Sequence, residues 1–337
     1  MPDLHTTYLG LRLRTPIVAS PGPYTGDVDR IAELCDAGVS AIVLPSLFEE
    51  EIEHETFEID RLHTLHRDSF GEATTFLPEW PDYENVPDRY LDLVERAKGR
   101  ADVPVIASLN GNNIGGWLRY ASLLEDAGAD AVELNLYTVA ADPMIGGVDL
   151  EAEQLELVAM VADHVSVPVA VKISPYYTSL AAFLMELQQT GASGVVMFNR
   201  FYAPDLDLET LDVEPRISLS TSGELRLPLR WIGIAREFLS LSIAASTGVH
   251  TGFDTVKLLL AGADVTMTTS SLLVNGPGHI ATIEQELVAW MTEHEYESVA
   301  QMRGAARRDA TADPNAYERA NYIGNLTTYT SRFLQTH

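Results

Sequence analysis

The chain has 337 residues, 46% hydrophobic and 21% charged, with a formal net charge of −27. A field of that sign repels phosphate backbones, so nucleic acid is not an expected partner. The single cysteine, Cys35, excludes an intramolecular disulfide, a cysteine-held iron–sulfur cluster and a Cys-rich zinc site, and it fits a reducing cytoplasm.

The chain opens with MPDLHTTYLG, in which no basic segment precedes an apolar one, so no secretion signal is expected. No apolar run reaches the roughly 18–20 residues of a membrane helix, and no membrane association is expected. A pattern then recurs: DAGVSAIV from Asp36, DAGADAVEL from Asp126, QTGASGVVM from Gln189 and LAGADVTM from Leu260. In each, a glycine (Gly38, Gly128, Gly191, Gly262) stands where a helix ends in a left-handed cap. A short, β-branched apolar run follows, as in a strand buried on both faces. Eight such strands are predicted, at 16–20, 40–45, 104–109, 130–136, 168–173, 193–198, 241–246 and 264–268. Helical spacing lies between most of them, for example from Asp27, Ile114 and Phe253. Eight alternating units predict an α/β fold, a (β/α)8 TIM barrel with its chemistry at the C-terminal strand ends. An open doubly wound sheet is the alternative, weakened because no Gly-rich dinucleotide fingerprint follows the first strand. Two connections, 46–87 and 199–227, are long enough to cap or line the mouth, or to serve as oligomer contacts.

Two strands end on polar side chains. AVELNLYTVAAD, from Ala131, carries Asn135, Tyr137 and Thr138; VPVAVKISPYY, from Val167, carries Lys172. A buried lysine needs an anion nearby, and Glu133 on the neighbouring strand is a candidate for a salt bridge. A Schiff-base nucleophile, as in some aldolase barrels, is a second reading of Lys172. Asn110 closes VIASLNGNN one strand earlier, either as a turn residue before Gly111 or as a donor and acceptor toward a planar ligand.

In this order the strand ends resemble those of the dihydroorotate dehydrogenase family, from about Leu9 to about Gly304. Four stretches carry the likeness: TPIVASPG at Thr15, ELNLYT at Glu133, VAVKISPYY at Val169, and AASTGVHTGFDTVKLLLAGADVTMTTSSLL at Ala244. The resemblance implies a cytoplasmic FMN-dependent oxidoreductase that passes hydride between a small substrate and flavin N5. It sets the Ala19-Ser20 backbone against the flavin ring and Ser46, Asn110, Asn135 and Asn199 around flavin and substrate. Lys172 would stand near flavin N1 and the C2 carbonyl, where a fixed cation stabilises the reduced state. Thr138 falls where the family carries its proton-abstracting Cys or Ser, and a hydroxyl there needs water or a neighbour to accept its proton. Tyr137 is another candidate, and a Thr that merely caps its own loop is the plain alternative. Thr247-Gly248 and Thr269-Ser270 would bind the FMN phosphate through backbone N–H groups after the last two strands. A homodimer is expected from the resemblance alone, and an electron-accepting partner subunit is possible.

The likeness breaks at the substrate. Pro45 replaces a family lysine before Ser46, Ala140 replaces an asparagine, FLPEWPDYENVPDRY offers no equivalent asparagine, and Arg200 follows Asn199. Each lost hydrogen bond to a buried planar anion costs about 1–3 kcal/mol, so a pocket diverged from orotate is expected. Arg200 would bind another carboxylate, or pair with Asp205 or Asp207. A true dihydroorotate dehydrogenase of pyrimidine biosynthesis, a lyase built on Lys172 and a non-catalytic flavin-binding protein are the rival readings. No metal is expected from His63 and His66, which lack partners at ligand spacing. Asn325, in an Asn-Leu-Thr sequence, is no glycosylation site in a cytoplasmic chain. Residues 1–304 read as one barrel, and 305–337 as an extension packed on it or on a partner subunit.

Overall fold

The computed structural model describes residues 1–52, 85–110, 114–136, 138–200, 203–214, 216–318 and 322–328. His63, His66, Tyr137 and most of the 46–87 connection lie outside the described residues. Eight parallel strands close into a barrel: β1 Ile17–Ala19, β2 Ile42–Phe48, β3 Val105–Asn110, β4 Ala131–Asn135, β5 Val169–Ile173, β6 Gly194–Met197, β7 Ser242–Ser246 and β8 Val265–Thr268. Each pairs with its neighbour in chain order, and β8 closes on β1. The fold is therefore a (β/α)8 barrel.

Around it run α1 Val28–Asp36, α2 Val86–Arg100, α3 Ile114–Asp126, α4 Gly147–His164, α5 Leu180–Leu187, α6 Arg226–Ala235, α7 Gly252–Ala261, α8 Ser270–Asn275 and α9 His279–Glu293. Local chemistry sets their ends. Asp27 caps α1 by accepting from the Asp29 and Arg30 N–H groups, and Thr251 and Asp254 form a capping box on α7. At the other ends Gly38, Gly128, Gly191 and Gly262 have φ of 92°, 92°, 89° and 127°, the backbone turn that releases each chain into its strand. A Cβ added at Gly128 would meet only Lys98 Cγ, at 3.9 Å. Gly128→Ala should therefore cost only the left-handed backbone, about 1–2 kcal/mol, read as a lower urea midpoint with unchanged slope.

Strand alternation separates two cores. Val169, Val171 and Ile173 face the helices, while Ala170 joins Val18, Ala131, Ala244 and Val265 inside the barrel. An antiparallel hairpin, Thr6–Tyr8 with Leu11–Leu13, closes the N-terminal end, sending Tyr8, Leu9 and Leu13 into that interior. The interior is thus apolar at its base, and any opening is forced to the C-terminal mouth.

The second strand runs further than 40–45. It continues to Phe48, so the connection predicted from residue 46 starts later, and α2 takes over at Val86. The cause is a register shift between Val43 and Ser46. Pro45 has no N–H for the ladder, and Tyr90 of α2 fills the gap: its hydroxyl lies 2.6 Å from Pro45 O and 3.0 Å from Ser108 N. Burial pushes that phenol well above its ordinary value, so it remains a donor. Beyond the bulge Ser46 and Phe48 pair with Ser108 and Asn110. The 199–227 connection contains a short hairpin, Asp205–Leu206 with Val213–Glu214, and a 3-10 turn, Ser222–Leu225.

Residues 305–318 run along α6. A Cβ on Gly233 would come within 2.3 Å of the Tyr317 ring, the Tyr317 hydroxyl donates to Ala306 O, and Arg308 pairs with Glu237 at 2.6 Å. Asn325 is exposed.

Candidate active site

The inward-facing side chains change character along each strand. On β3 they run Ile106, Ser108, Asn110; on β4, Ala131, Glu133, Asn135; on β5, Ala170, Lys172, then Ser174 just beyond it. All of the polar ones are buried. Period-two alternation delivers them to one place, because the strands are parallel and in register: Ser108 lies beside Glu133, and Asn135 beside Lys172. Buried polar groups need partners, and these have few. Lys172 Nζ stands 3.4 Å from Glu133 Oε1, with both side chains under a tenth exposed. Asn199 Nδ2 donates to Asn135 Oδ1 at 2.8 Å, and Ser46 and Ser108 share a hydrogen bond of 2.8 Å.

The structure thus gathers Ser46, Asn110, Asn135, Lys172 and Asn199 at one end of the barrel. Ser20 joins them as the next inward position after Val18, whereas Ala19 packs outward against the helices and offers only its backbone. Thr138 lies apart. It is exposed, on the loop beyond β4, and no hydrogen-bond partner approaches it among the described residues. Arg200 pairs with neither Asp205 nor Asp207. Its guanidinium lies 3.4 Å from Glu224, while Asp205 is taken by Arg216 at 2.7 Å. The pairing follows from the chain folding back, which sequence spacing does not reveal.

That fold-back shapes the other half of the site. After β7, Thr247 and Gly248 have φ of 78° and 82°. After β8, Thr269 occupies the N-cap position of the short α8 without a side-chain cap bond, and Ser270 is the first helical residue. Among the described residues, the backbone N–H groups of Gly248 and Ser270 have no protein acceptor. Segment 220–225 lies against both turns. Ser220 N donates to Ser270 Oγ at 3.1 Å, and a Cβ at Gly248 would fall 2.5 Å from Leu225 N. The hydroxyl of Thr269 is not free, since it donates to Ser20 O at 2.9 Å. The nearby carboxylate of Asp254 is occupied by the His250 and Thr251 N–H groups and the Ser222 hydroxyl.

Sequence reading missed four parts of this site: Ser108, Ser174, Phe48 and the 220–225 wall. Ser108 was legible as an inward position of a strand already predicted, and Ser174 as the next inward position past 168–173. Phe48 was hidden by the bulge, and the wall by its length from any strand.

The donor set fits a flavin mononucleotide. Unpartnered N–H groups in two adjacent turns suit a phosphate dianion. A lysine and three asparagines at the neighbouring strand ends suit the donor and acceptor edge of its ring. Among the described residues, no group of three or more His, Cys, Asp or Glu is placed to hold a metal, and no helix is long and apolar enough to cross a membrane.

Comparison with known proteins agrees with this arrangement. The family model for dihydroorotate dehydrogenase matches residues 83–291. A chloroplastic dihydropyrimidine dehydrogenase (NADP+) of Arabidopsis thaliana is 27% identical over 90% of this chain and 76% of its own length. The catalytic subunit of dihydroorotate dehydrogenase B (NAD+) of Endomicrobium trichonymphae is 26% identical over 91% of this chain and 98% of its own. A putative dihydroorotate dehydrogenase A (fumarate) of Pediococcus pentosaceus is 26% identical over 89% and 98%. The chain belongs to the dihydroorotate dehydrogenase family and is an FMN-dependent oxidoreductase acting on CH–CH donors.

Proposed function

We propose that the enzyme acts on an uncharged dihydropyrimidine-type ring in preference to a carboxylate-bearing one such as dihydroorotate. The observation that carries this reading is that Arg200 and Lys172, the two cations placed at this end of the barrel, are each paired with a carboxylate. Pro45 stands where the family carries a lysine. Arg200 is tied to Glu224, and Lys172 to Glu133. An anionic ring would also enter against a net charge of −27. A relative named as a dihydropyrimidine dehydrogenase, similar over most of this chain, supports the same choice.

Bound FMN supplies the hydride acceptor or donor at its N5. Around it the chain's own residues divide the work. Lys172 sets a positive charge beside the ring's electron-rich edge. Asn135, oriented by Asn199, and Asn110 present amides that match the alternating N–H and C=O groups of a cyclic amide. The backbone of Ser20 would border the ring, and the turns at Thr247-Gly248 and Thr269-Ser270 would hold the phosphate. Thr138 handles the substrate proton and, having no protein partner among the described residues, passes it to water. A Schiff-base role for Lys172 fits poorly, because the amine is engaged by a buried carboxylate; borohydride with a carbonyl substrate should trap nothing. The names of the similar proteins give different electron acceptors, NADP+, NAD+ and fumarate, and a partner subunit is one route for the electrons of this chain.

The test is dye-coupled turnover of dihydrouracil against dihydroorotate by the FMN-loaded enzyme. The expected result is a kcat/KM at least tenfold higher for dihydrouracil, roughly the effect of one unpaired buried charge or hydrogen bond. Equal or better turnover of dihydroorotate removes the proposal.

A further inference from the structure

Glu133 is a buried carboxylate with an incomplete set of contacts. It faces the barrel interior from β4 and is 1% exposed. Oε1 meets Lys172 Nζ at 3.4 Å, and Oε2 has no hydrogen-bond partner among the described residues. In register, its neighbours are uncharged: Ser108 on β3 lies beside it, and Val196 on β6 lies beside Lys172. Two phenols share its surroundings. Tyr8, in the hairpin that closes the base, has a hydroxyl that is also unpartnered among the described residues. Burial first, and then the charges of Glu133 and Asp264, push that hydroxyl well above the usual phenol range. Tyr90 is pushed up by burial first and by Glu133 as a smaller cause. Both phenols keep their protons, so neither supplies a charge. Among the described residues, Glu133 and Lys172 are each other's only ion-pair partner.

Depth separates the two. Glu133 is in register with Ala170, while Lys172 is in register with Asn135, one inward layer nearer the mouth. The carboxylate therefore stands behind the ammonium and not beside the place proposed for the flavin. A buried ammonium without an anion is strongly disfavoured. Without the carboxylate, no other anion among the described residues holds the ammonium at that point.

We infer that Glu133 is a positioning residue: it holds the Lys172 ammonium as a buried cation aimed at the mouth, and it acts on bound FMN only through that lysine. The inference rests on the proposed place of Lys172 beside the flavin.

The measurement is the reduction potential of bound FMN, by dye equilibration, in four proteins: wild type, Lys172→Met, Glu133→Gln and the double variant. A merely structural glutamate would alter stability and leave the potential alone. Lys172→Met should lower the potential. Glu133→Gln should lower it too, by about tenfold or more in the two-electron equilibrium, which is about 30 mV. The double variant should match Lys172→Met to within about threefold. Glu133→Gln with an unmoved or raised potential overturns the inference. So does a double variant more than about tenfold away from Lys172→Met, because the carboxylate would then act on the flavin directly. Where Glu133→Gln fails to fold, the double variant carries the test, since it leaves no lone buried charge. If Lys172→Met itself leaves the potential unmoved, the reading of the lysine fails and the inference with it; if only Glu133→Gln is silent, the lysine's role stands.

Discussion

Lys172→Met is expected to slow reduction of the bound flavin by substrate roughly 100- to 1,000-fold, the usual effect of removing one preorganised group that meets developing charge. Methionine matches the length of the lysine stem and removes only the ammonium, so packing on β5 is preserved. The cost to stability should be just as clear. The lysine side chain is 8% exposed and its carboxylate partner 1%. Deleting one member of a buried pair leaves the other uncompensated, which costs about 3–5 kcal/mol. Combining Lys172→Met with Glu133→Gln should recover most of that loss, because no lone charge remains. The rate should not recover. Stopped-flow reduction and urea unfolding of the same three proteins measure both quantities. A single variant that keeps wild-type reduction rates would show that the cation takes no part in the chemistry. A double variant no more stable than the single one would show that the 3.4 Å contact is incidental.

The parts of this molecule written in local chemistry were legible before any coordinates. Gly38, Gly128, Gly191 and Gly262 mark helix ends because a left-handed residue is cheapest as glycine, and the β-branched runs that follow them are the barrel strands. The polar ends of β4 and β5 were enough to single out Asn135 and Lys172 and to offer Glu133 as one candidate partner for the lysine, which is the contact observed. What escaped was decided by contacts distant in sequence. The bulge in β2 depends on Pro45 lacking an N–H and on Tyr90 reaching back from the next helix. No pattern within 40–48 announces it, so Phe48 was left in a loop. Arg200 stood five and seven residues from two aspartates, yet its partner is Glu224, because residues 220–225 return to cover the β7 and β8 turns. Thr269 was assigned to the phosphate through its backbone, and its hydroxyl has a separate contact that no local pattern announces: it ties the β8 turn to the β1 loop. Its backbone, not its side chain, remains for the ligand.

Gly248→Ala should weaken FMN binding by about 100-fold or more, which is near 2.7 kcal/mol, and destabilise the apoprotein as well. Two separate obstacles meet at this residue. The first is conformational: φ is 82°, and an L-residue there loses about 1–2 kcal/mol. The second is steric. The new Cβ would lie 2.5 Å from Leu225 N and 3.0 Å from Leu225 Cα, and backbone atoms cannot swing aside as a side chain can. Leu225 is fixed within a segment anchored by Ser220 N to Ser270 Oγ and by Ser222 Oγ to Asp254. Relief of the clash therefore moves the wall, and the wall moves Ser270, one of the two turns proposed to hold the phosphate. Gly10→Ala separates the two effects. Its φ is 78°, but nothing lies within 4 Å of a Cβ there, so it should lose about 1–2 kcal/mol of stability and none of the FMN affinity. Thr247 supplies the converse. A β-branched residue at φ 78° is itself strained, so Thr247→Gly should stabilise the fold while the turn keeps its N–H groups. Fluorescence titration of FMN into the three apoproteins gives the affinities. If Gly248→Ala binds FMN as tightly as the wild type, the phosphate is held somewhere other than these turns.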